Sequence, residues 1–185
     1  MKLLGSRWSP MTPNVEVIDE AWAIIPEFPN YQISSLGRVY NVKRDQMMSV
    51  SVTNHGHPKI TLTDFDGERY TRSVALLVAE AFVPGRDMLS DQVVVLDGDL
   101  NHVEAFNLVW RPRWFAWKYT RQLKIDQPLH YRNLPVLDVT TQLEYDSIVQ
   151  AGMSEGLLFT AIWRSTYTGH PVYPTDSVFE VIERV

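Results

Sequence analysis

The chain has 185 residues, of which 45% are hydrophobic and 21% are charged, a composition typical of a folded soluble protein rather than a disordered one. It has no cysteine, which excludes disulfide frameworks, thiolate zinc sites and cysteine nucleophiles and suits a reducing compartment. The formal net charge of −5 argues mildly against unspecific binding of nucleic acid, because phosphate neutralisation needs clustered Lys and Arg. The distribution of the basic residues therefore matters more than their number.

Residues 1–14 are expected to form a flexible start. Their short apolar patch is interrupted by Arg7, Trp8, Ser9 and Pro10 before a secretory core of adequate length forms. No later stretch approaches the roughly 20 apolar residues of a membrane span. These features predict a cytoplasmic protein with no membrane partner and no signal for an oligomeric state.

The first folded module is expected at residues 15–50. Pro26 and Pro29 forbid a continuous helix there. Gly37 is typical of a turn, and residues 38–42 after it have the composition of a strand.

A second domain is expected at residues 51–126. Strand-like alternation at 59–63, the turn signal at 66–67 and a return stretch at 68–73 predict a hairpin. The apolar period then changes to 3.6, which predicts a helix stopped by Pro84 and Gly85. Its apolar face comprises Val74, Leu77, Val78, Ala81 and Phe82.

Another hairpin is predicted at residues 93–110, where an apolar strand, an Asp-Gly turn, a polar loop and an Asn-Leu-x-Trp return strand follow one another. Pro112 suits the first turn of a helix after it. The segment 110–124 has no acidic residue and interleaves basic with aromatic side chains, which suits phosphate contact with stacking or apolar wedging. An inward aromatic face with a solvated basic face is the alternative, and both can hold at once. The predicted nucleic-acid contacts are Arg111, Arg113, Trp114, Trp117, Lys118 and Arg121, with Arg38 secondary.

A final module is expected at residues 127–185. Two short strands flank residues 140–142, and a short helix, Gly152 and a Ser154 cap precede a second helix to about Arg164. This is the outline of a helix-turn-helix. The second helix offers mainly Thr160 and Arg164 to base edges, which favours packing or a protein contact over base reading.

Three motifs in this order resemble those of one family. Residues 31–39 (YQISSLGRV) match Tyr-x-(Ile/Val)-Ser-x-Leu-Gly-Arg-Val, residues 75–85 (ALLVAEAFVPG) match a Leu-Val-Ala-x-Ala-Phe-(Ile/Val)-Pro helix, and residues 93–110 match a Val-Asn-His-x-Asp-Gly-Asn hairpin signature ending in Asn-Leu-x-Trp. The chain resembles the phage and mobile-element HNH endonucleases of the homing type, with associated N-terminal and C-terminal modules. The resemblance implies an α+β protein of small modules, with antiparallel hairpins, short helices, a degenerate ββα unit and a helix-turn-helix-like end.

The departures from the family pattern concern its catalytic positions. The resemblance places a metal ligand and the general base at positions that here hold Val94 and Val95, and the family's His-Arg helix start is Ala75 and Leu76. A later Asn pair appears as His102 and Val103, and only Asn107 matches a metal-side position. Valine can neither ligate a metal nor accept a proton. The sequence therefore predicts a pseudo-nuclease that is not an enzyme, without catalytic residues, metal or cofactor.

Three hypotheses of function stay open at this point. The first is a catalytically inactive protein that binds double-stranded DNA in a regulatory role. The second is a scaffold redirected to bind a host or phage protein. The third, ranked last, is a nuclease that uses Asp97, Asp99 and His102, although Asp-Gly turn chemistry explains that loop more simply.

Overall fold

The computed structural model describes residues 19–124 and 130–183. The N-terminal part contains β1 (Trp22–Ile25), β2 (Phe28–Ser34), β3 (Val39–Asn41), β4 (Gln46–Met47), β5 (Ser51–Val52), β6 (Pro58–Thr63), β7 (Arg69–Ser73) and α1 (Val74–Phe82). The middle contains β8 (Gln92–Val95), a 3-10 turn (Ala105–Asn107), β9 (Leu108–Arg111) and α2 (Arg113–Lys124). After a 3-10 turn (His130–Asn133), the last part contains β10 (Val136–Asp138), β11 (Leu143–Tyr145), α3 (Ile148–Glu155), α4 (Phe159–Thr168) and β12 (Phe179–Val181).

The strands form small antiparallel sheets made mostly of sequence neighbours. The sheets have the orders β1-β2-β3-β4, β5-β6-β7, β8-β9 and β11-β10-β12. Among the strands of the described residues, β12 alone returns from a distance, pairing with β10 across α3 and α4. The expected α+β class with hairpins and short helices is confirmed. None of the helices in the described residues is long and apolar enough to span a bilayer.

The β6–β7 hairpin and α1 follow the sequence pattern closely. The turn between the strands contains Gly67 at a φ of 88°, a conformation that glycine adopts without strain. Helix α1 buries Val74, Leu77 and Val78 as predicted, but Ala79 is buried while Ala81 is exposed. The prediction for Ala81 is wrong because the face that α1 packs against β2, β6, β7 and β9 is rotated toward Ala79, which leaves Ala81 at its exposed edge.

One apolar core spans the predicted boundary at residue 50 and draws its buried side chains from residues 25–110. Side chains of β2 such as Phe28 and Ile33 pack with Ile60 of β6, with α1 and with Trp110 of β9. The predicted boundary at residue 50 stays a prediction, but the two segments bury their apolar side chains together. The expected features of residues 1–14 lie outside the described residues.

The boundary between α3 and α4 differs from the prediction. Helix α3 begins after Ser147, whose side chain accepts a hydrogen bond from the backbone N–H of Gln150 (3.0 Å), and it ends at Gly156 with a φ of 63°. Gly152 and Ser154 therefore lie inside α3, and α4 extends to Thr168. Gly152 is required by packing rather than by a turn, because a Cβ there would lie 2.4 Å from the ring of Phe159.

Candidate functional site

Helix α2 has one buried face and one basic, aromatic face. The carbonyl of Pro112 accepts hydrogen bonds from the N–H groups of Phe115 and Ala116 (both 2.9 Å), so Pro112 immediately precedes the helix. Phe115 and Tyr119 are buried, and the helix contains no acidic residue. Its exposed side chains are Arg113, Trp114, Trp117, Lys118, Thr120, Arg121 and Lys124. The predicted basic and aromatic contacts on the helix, Arg113 to Arg121, thus share one surface, called the outer face of α2 below.

Cations on the outer face lie over indole rings. Lys118 Nζ is 5.3 Å from the ring centre of Trp114, and the guanidinium carbon of Arg121 is 5.2 Å from that of Trp117. Each pair is four residues apart, which places both members on the same side of a helix. Such cation–π contacts hold the indoles in place while leaving the charges at the surface. The outer face therefore presents positive charge and ordered aromatic rings together.

Arg111 lies in the interior, apart from the outer face. Its guanidinium donates hydrogen bonds to the carbonyls of Glu155 (3.0 Å), Gly156 (3.3 Å) and Trp110 (3.0 Å). Burial lowers the pKa of Arg111 below its ordinary value. Arg111 thus satisfies carbonyls at the C-terminal end of α3 and joins the β8–β9 hairpin to the last module.

Arg38 lies on the N-terminal sheet. Its side chain forms an ion pair with Glu20 and lies over the ring of Trp22. The Arg38 side chain is 56% exposed and that of Glu20 is 15% exposed, so the arginine end of the pair faces solvent.

The loop between β8 and β9 contains a polar network around Asn107. The buried Asn107 side chain accepts a hydrogen bond from the Asp97 N–H (3.2 Å) and donates one to the His102 carbonyl (2.8 Å). His102 Nδ1 lies 2.6 Å from Asp97 Oδ2, and this hydrogen bond raises the pKa of His102. Partial burial alone would raise the pKa of Asp97, but hydrogen bonds from His102 and Asn107 lower it below its usual value. The network fixes the shape of the loop.

The valines at the family's catalytic positions are packing residues. Val94 is 2% exposed and packs with Phe115 and Tyr119 under α2. Val95 points to the other side of β8 and packs, like Ala75, against the N-terminal core. Neither aliphatic side chain offers the oxygen or nitrogen ligand that a metal cation needs. Among the described residues, no group of three or more His, Asp or Glu side chains is arranged to hold a metal.

Comparisons with known proteins agree with this architecture. Residues 20–63 match the NUMOD4 motif. No curated protein sequence matches the chain significantly. Among solved structures, one of DNA binding and cleavage by the HNH homing endonuclease I-HmuI is similar at a TM-score of 0.52 and 22% identity, covering 89% of this chain and 99% of that chain. At this identity the match shows a shared fold, which supports the coarse resemblance to homing endonucleases.

The prediction that the chain is a pseudo-nuclease and not an enzyme is wrong in view of this match. The shared fold, over 89% of the chain, is that of a protein that cleaves DNA. The prediction rested on departures at a few motif positions, above all Val94 and Val95. Substitutions at these positions do not establish that the whole chain lacks activity.

Two contributors to this region were missed by sequence reasoning. Gln122, on the inner side of α2, donates to the Leu157 carbonyl (3.0 Å) and accepts from the Phe159 N–H (2.9 Å). Tyr173 packs beside Trp114, with ring centres 5.8 Å apart. The position of Gln122, three residues after Tyr119, was the available signal for a side chain near the inner face. No local pattern predicts the contact of Tyr173, which comes from a distant part of the chain.

Proposed function

We propose that this chain is a nuclease-related protein that binds double-stranded DNA through the outer face of α2. The observation that carries the proposal is the exposed set of cations on a helix without acidic residues, directly after the β8–β9 hairpin of a fold shared with I-HmuI. That protein is described as binding and cleaving DNA.

Electrostatics supports binding through this face despite the net charge of −5. Arg113, Lys118, Arg121 and Lys124 form no ion pair with an acidic side chain of the described residues. Their charges are therefore available to phosphates, and each phosphate contact releases a condensed counterion. The acidic remainder of the protein disfavours other orientations on DNA, so the local patch sets the binding mode.

The last module supplies a second contact in this proposal. Thr160 and Arg164 are exposed on α4 and line a recess of about 390 Å³ with Tyr173. Because Tyr173 also packs beside Trp114, this recess adjoins the outer face of α2. The helix-turn-helix-like role of α3 and α4, a phosphate contact by Arg38, and a regulatory role are part of the same proposal.

Binding to a labelled duplex, measured by fluorescence anisotropy over a salt series, tests the proposal. We expect affinity to fall steeply from about 50 to 200 mM salt, with a logarithmic slope of about −3.6 for four phosphate contacts. Lys118→Ala and Arg121→Ala should each reduce the magnitude of the logarithmic salt slope by about one. Arg69→Ala, which removes an exposed arginine of β7, is the matched control and should leave the slope unchanged. Absence of binding at low salt would contradict the proposal and favour the protein-binding scaffold.

DNA cleavage is a second candidate function, favoured by the His102–Asp97 pair in the hairpin loop. A histidine whose ring is oriented by a carboxylate is a common arrangement for proton transfer. Supercoiled plasmid incubated with magnesium, manganese or nickel tests this candidate. Metal-dependent nicking should be lost in His102→Ala and retained in His55→Ala, a loop histidine of another sheet. If wild-type protein binds DNA but nicks with none of these metals, this second candidate fails and DNA binding stands.

A further inference from the structure

Trp117 is the most solvent-exposed aromatic ring of the outer face. Its side chain is 61% exposed, and that of Trp114 is 53% exposed. Exposing large apolar rings to water is unfavourable, and adjoining exposed rings commonly mark a contact surface. Both indoles lie among cations, which makes a polyanion with flat apolar groups the complementary partner.

The two indoles differ in how many neighbours hold them. Trp114 contacts the rings of Phe115 and Tyr173, at 5.6 and 5.8 Å between centres, and also the Lys118 ammonium. Among the described residues, the aromatic and cation–π contacts of Trp117 consist of Arg121 alone. Trp114 is therefore held by two neighbouring rings and a cation, whereas Trp117 is held by one cation and is the more exposed of the two.

A basic recess lies beside Trp117. It has a volume of about 450 Å³ and extends from Gln92 on β8 along α2, and Arg113, Arg121 and Lys124 contribute to its walls. A phosphodiester chain that enters the recess would meet these cations while an adjacent base lies near the indole. Charge and shape thus place backbone and base contacts side by side.

We propose that Trp117 stacks on a base at an opened step of duplex DNA, with the packed rings of Trp114 and Tyr173 forming the adjoining surface. The inference rests on the proposed function and adds its substrate class, namely duplexes with a step that unstacks readily, such as a mismatch. Insertion of an apolar side chain between base pairs costs unstacking energy, which is smaller where pairing is already weak. Arg121 lies over Trp117 and keeps its charge available for the flanking phosphate.

Binding to two otherwise identical duplexes, one fully paired and one with a central mismatch next to 2-aminopurine, tests the inference. We expect wild-type protein to prefer the mismatched duplex by about tenfold and to change the 2-aminopurine fluorescence. Trp117→Ala should weaken binding to that duplex by about 5- to 150-fold, the range of one lost base–aromatic stack. Trp117→Phe should retain most of the affinity, and Trp117→Leu, which is apolar but not aromatic, should lose most of the preference.

The control is Phe65→Ala, which removes an exposed aromatic ring from the β6–β7 turn and should change neither affinity nor fluorescence. Equal binding of both duplexes by wild type, or an unchanged preference in Trp117→Ala, would overturn the inference while leaving salt-dependent DNA binding intact. Failure of wild type to bind either duplex would instead overturn the proposed function, together with this inference.

Discussion

The two faces of α2 come from the same twelve residues but have opposite roles. The inner face is occupied by Phe115, Tyr119 and Gln122, whose rings and polar groups contact the hairpin and the last module. The Tyr119 hydroxyl donates to the Leu96 carbonyl (2.7 Å), and burial raises the pKa of that hydroxyl. The outer face carries cations without acidic partners among the described residues and exposed indoles. One helix thus serves as a scaffold on one side and as a candidate contact surface on the other.

Arg111 and Arg113 show the same contrast two residues apart. Both are basic residues of one sequence segment, yet Arg111 hydrogen-bonds to carbonyls of α3 while Arg113 is exposed. Arg111 is the last residue of β9 and Arg113 is the first residue of α2. This change from strand to helix directs the two side chains to different sides of the chain. A basic residue near a binding surface therefore contributes to binding or to folding according to the direction of its side chain.

Truncation of the inner face should have the largest effect on stability. Phe115 is 1% exposed and packs with Val94 and Tyr119, so Phe115→Ala should lower the free energy of unfolding by about 3–5 kcal/mol. Trp117→Ala on the outer face should change it by no more than about 0.5 kcal/mol. Urea denaturation followed by circular dichroism measures both. Equal losses of unfolding free energy in Phe115→Ala and Trp117→Ala would contradict the distinction between the inner and outer faces of α2.

Replacing each of the two arginines in turn should separate an effect on folding from an effect on DNA binding. Arg111→Met leaves carbonyls at the end of α3 without donors and should cost about 2 kcal/mol of stability. Arg113→Met should leave stability nearly unchanged and make the salt dependence of DNA binding less steep by about one. Thermal unfolding and the anisotropy salt series measure the two effects. A large loss of stability in Arg113→Met would contradict the assignment of Arg113 to binding rather than to folding.

The smallest expected effect is a pH dependence of the loop network. The pKa of His102 is raised above 6.5 by Asp97. The contribution of the protonated His102 ring to the stability of the loop is therefore complete below pH 6.5 and is lost as pH rises through the folded-state pKa. The pKa of Asp97 is lowered below 3.8, so its contribution is lost as pH falls through that lowered value. The loop should be held most firmly between about pH 4 and 6.5. An NMR titration of the His102 ring in wild type and Asp97→Asn measures this, and identical pKa values in both would contradict it.

Sequence patterns predicted the local elements well because local elements depend on local periodicity. The β6–β7 hairpin, α1 and α2 follow the alternation of apolar residues and the positions of turn residues. The outer face of α2 was also predictable, since basic and aromatic residues recur there without an acid. Gly152 was misassigned to a turn because glycine signals either a turn or a close helix contact, and the sequence does not distinguish them.

The sequence by itself determined the class of fold, most elements and the composition of the basic segment, since these follow from residue type and spacing. Only the tertiary structure decided which basic residues face outward, that Gln122 and Arg111 hold the last module, and that Tyr173 adjoins Trp114. The physical reason is that burial and hydrogen-bond partners depend on contacts between distant segments. Such contacts form only when the apolar faces of all the elements pack together.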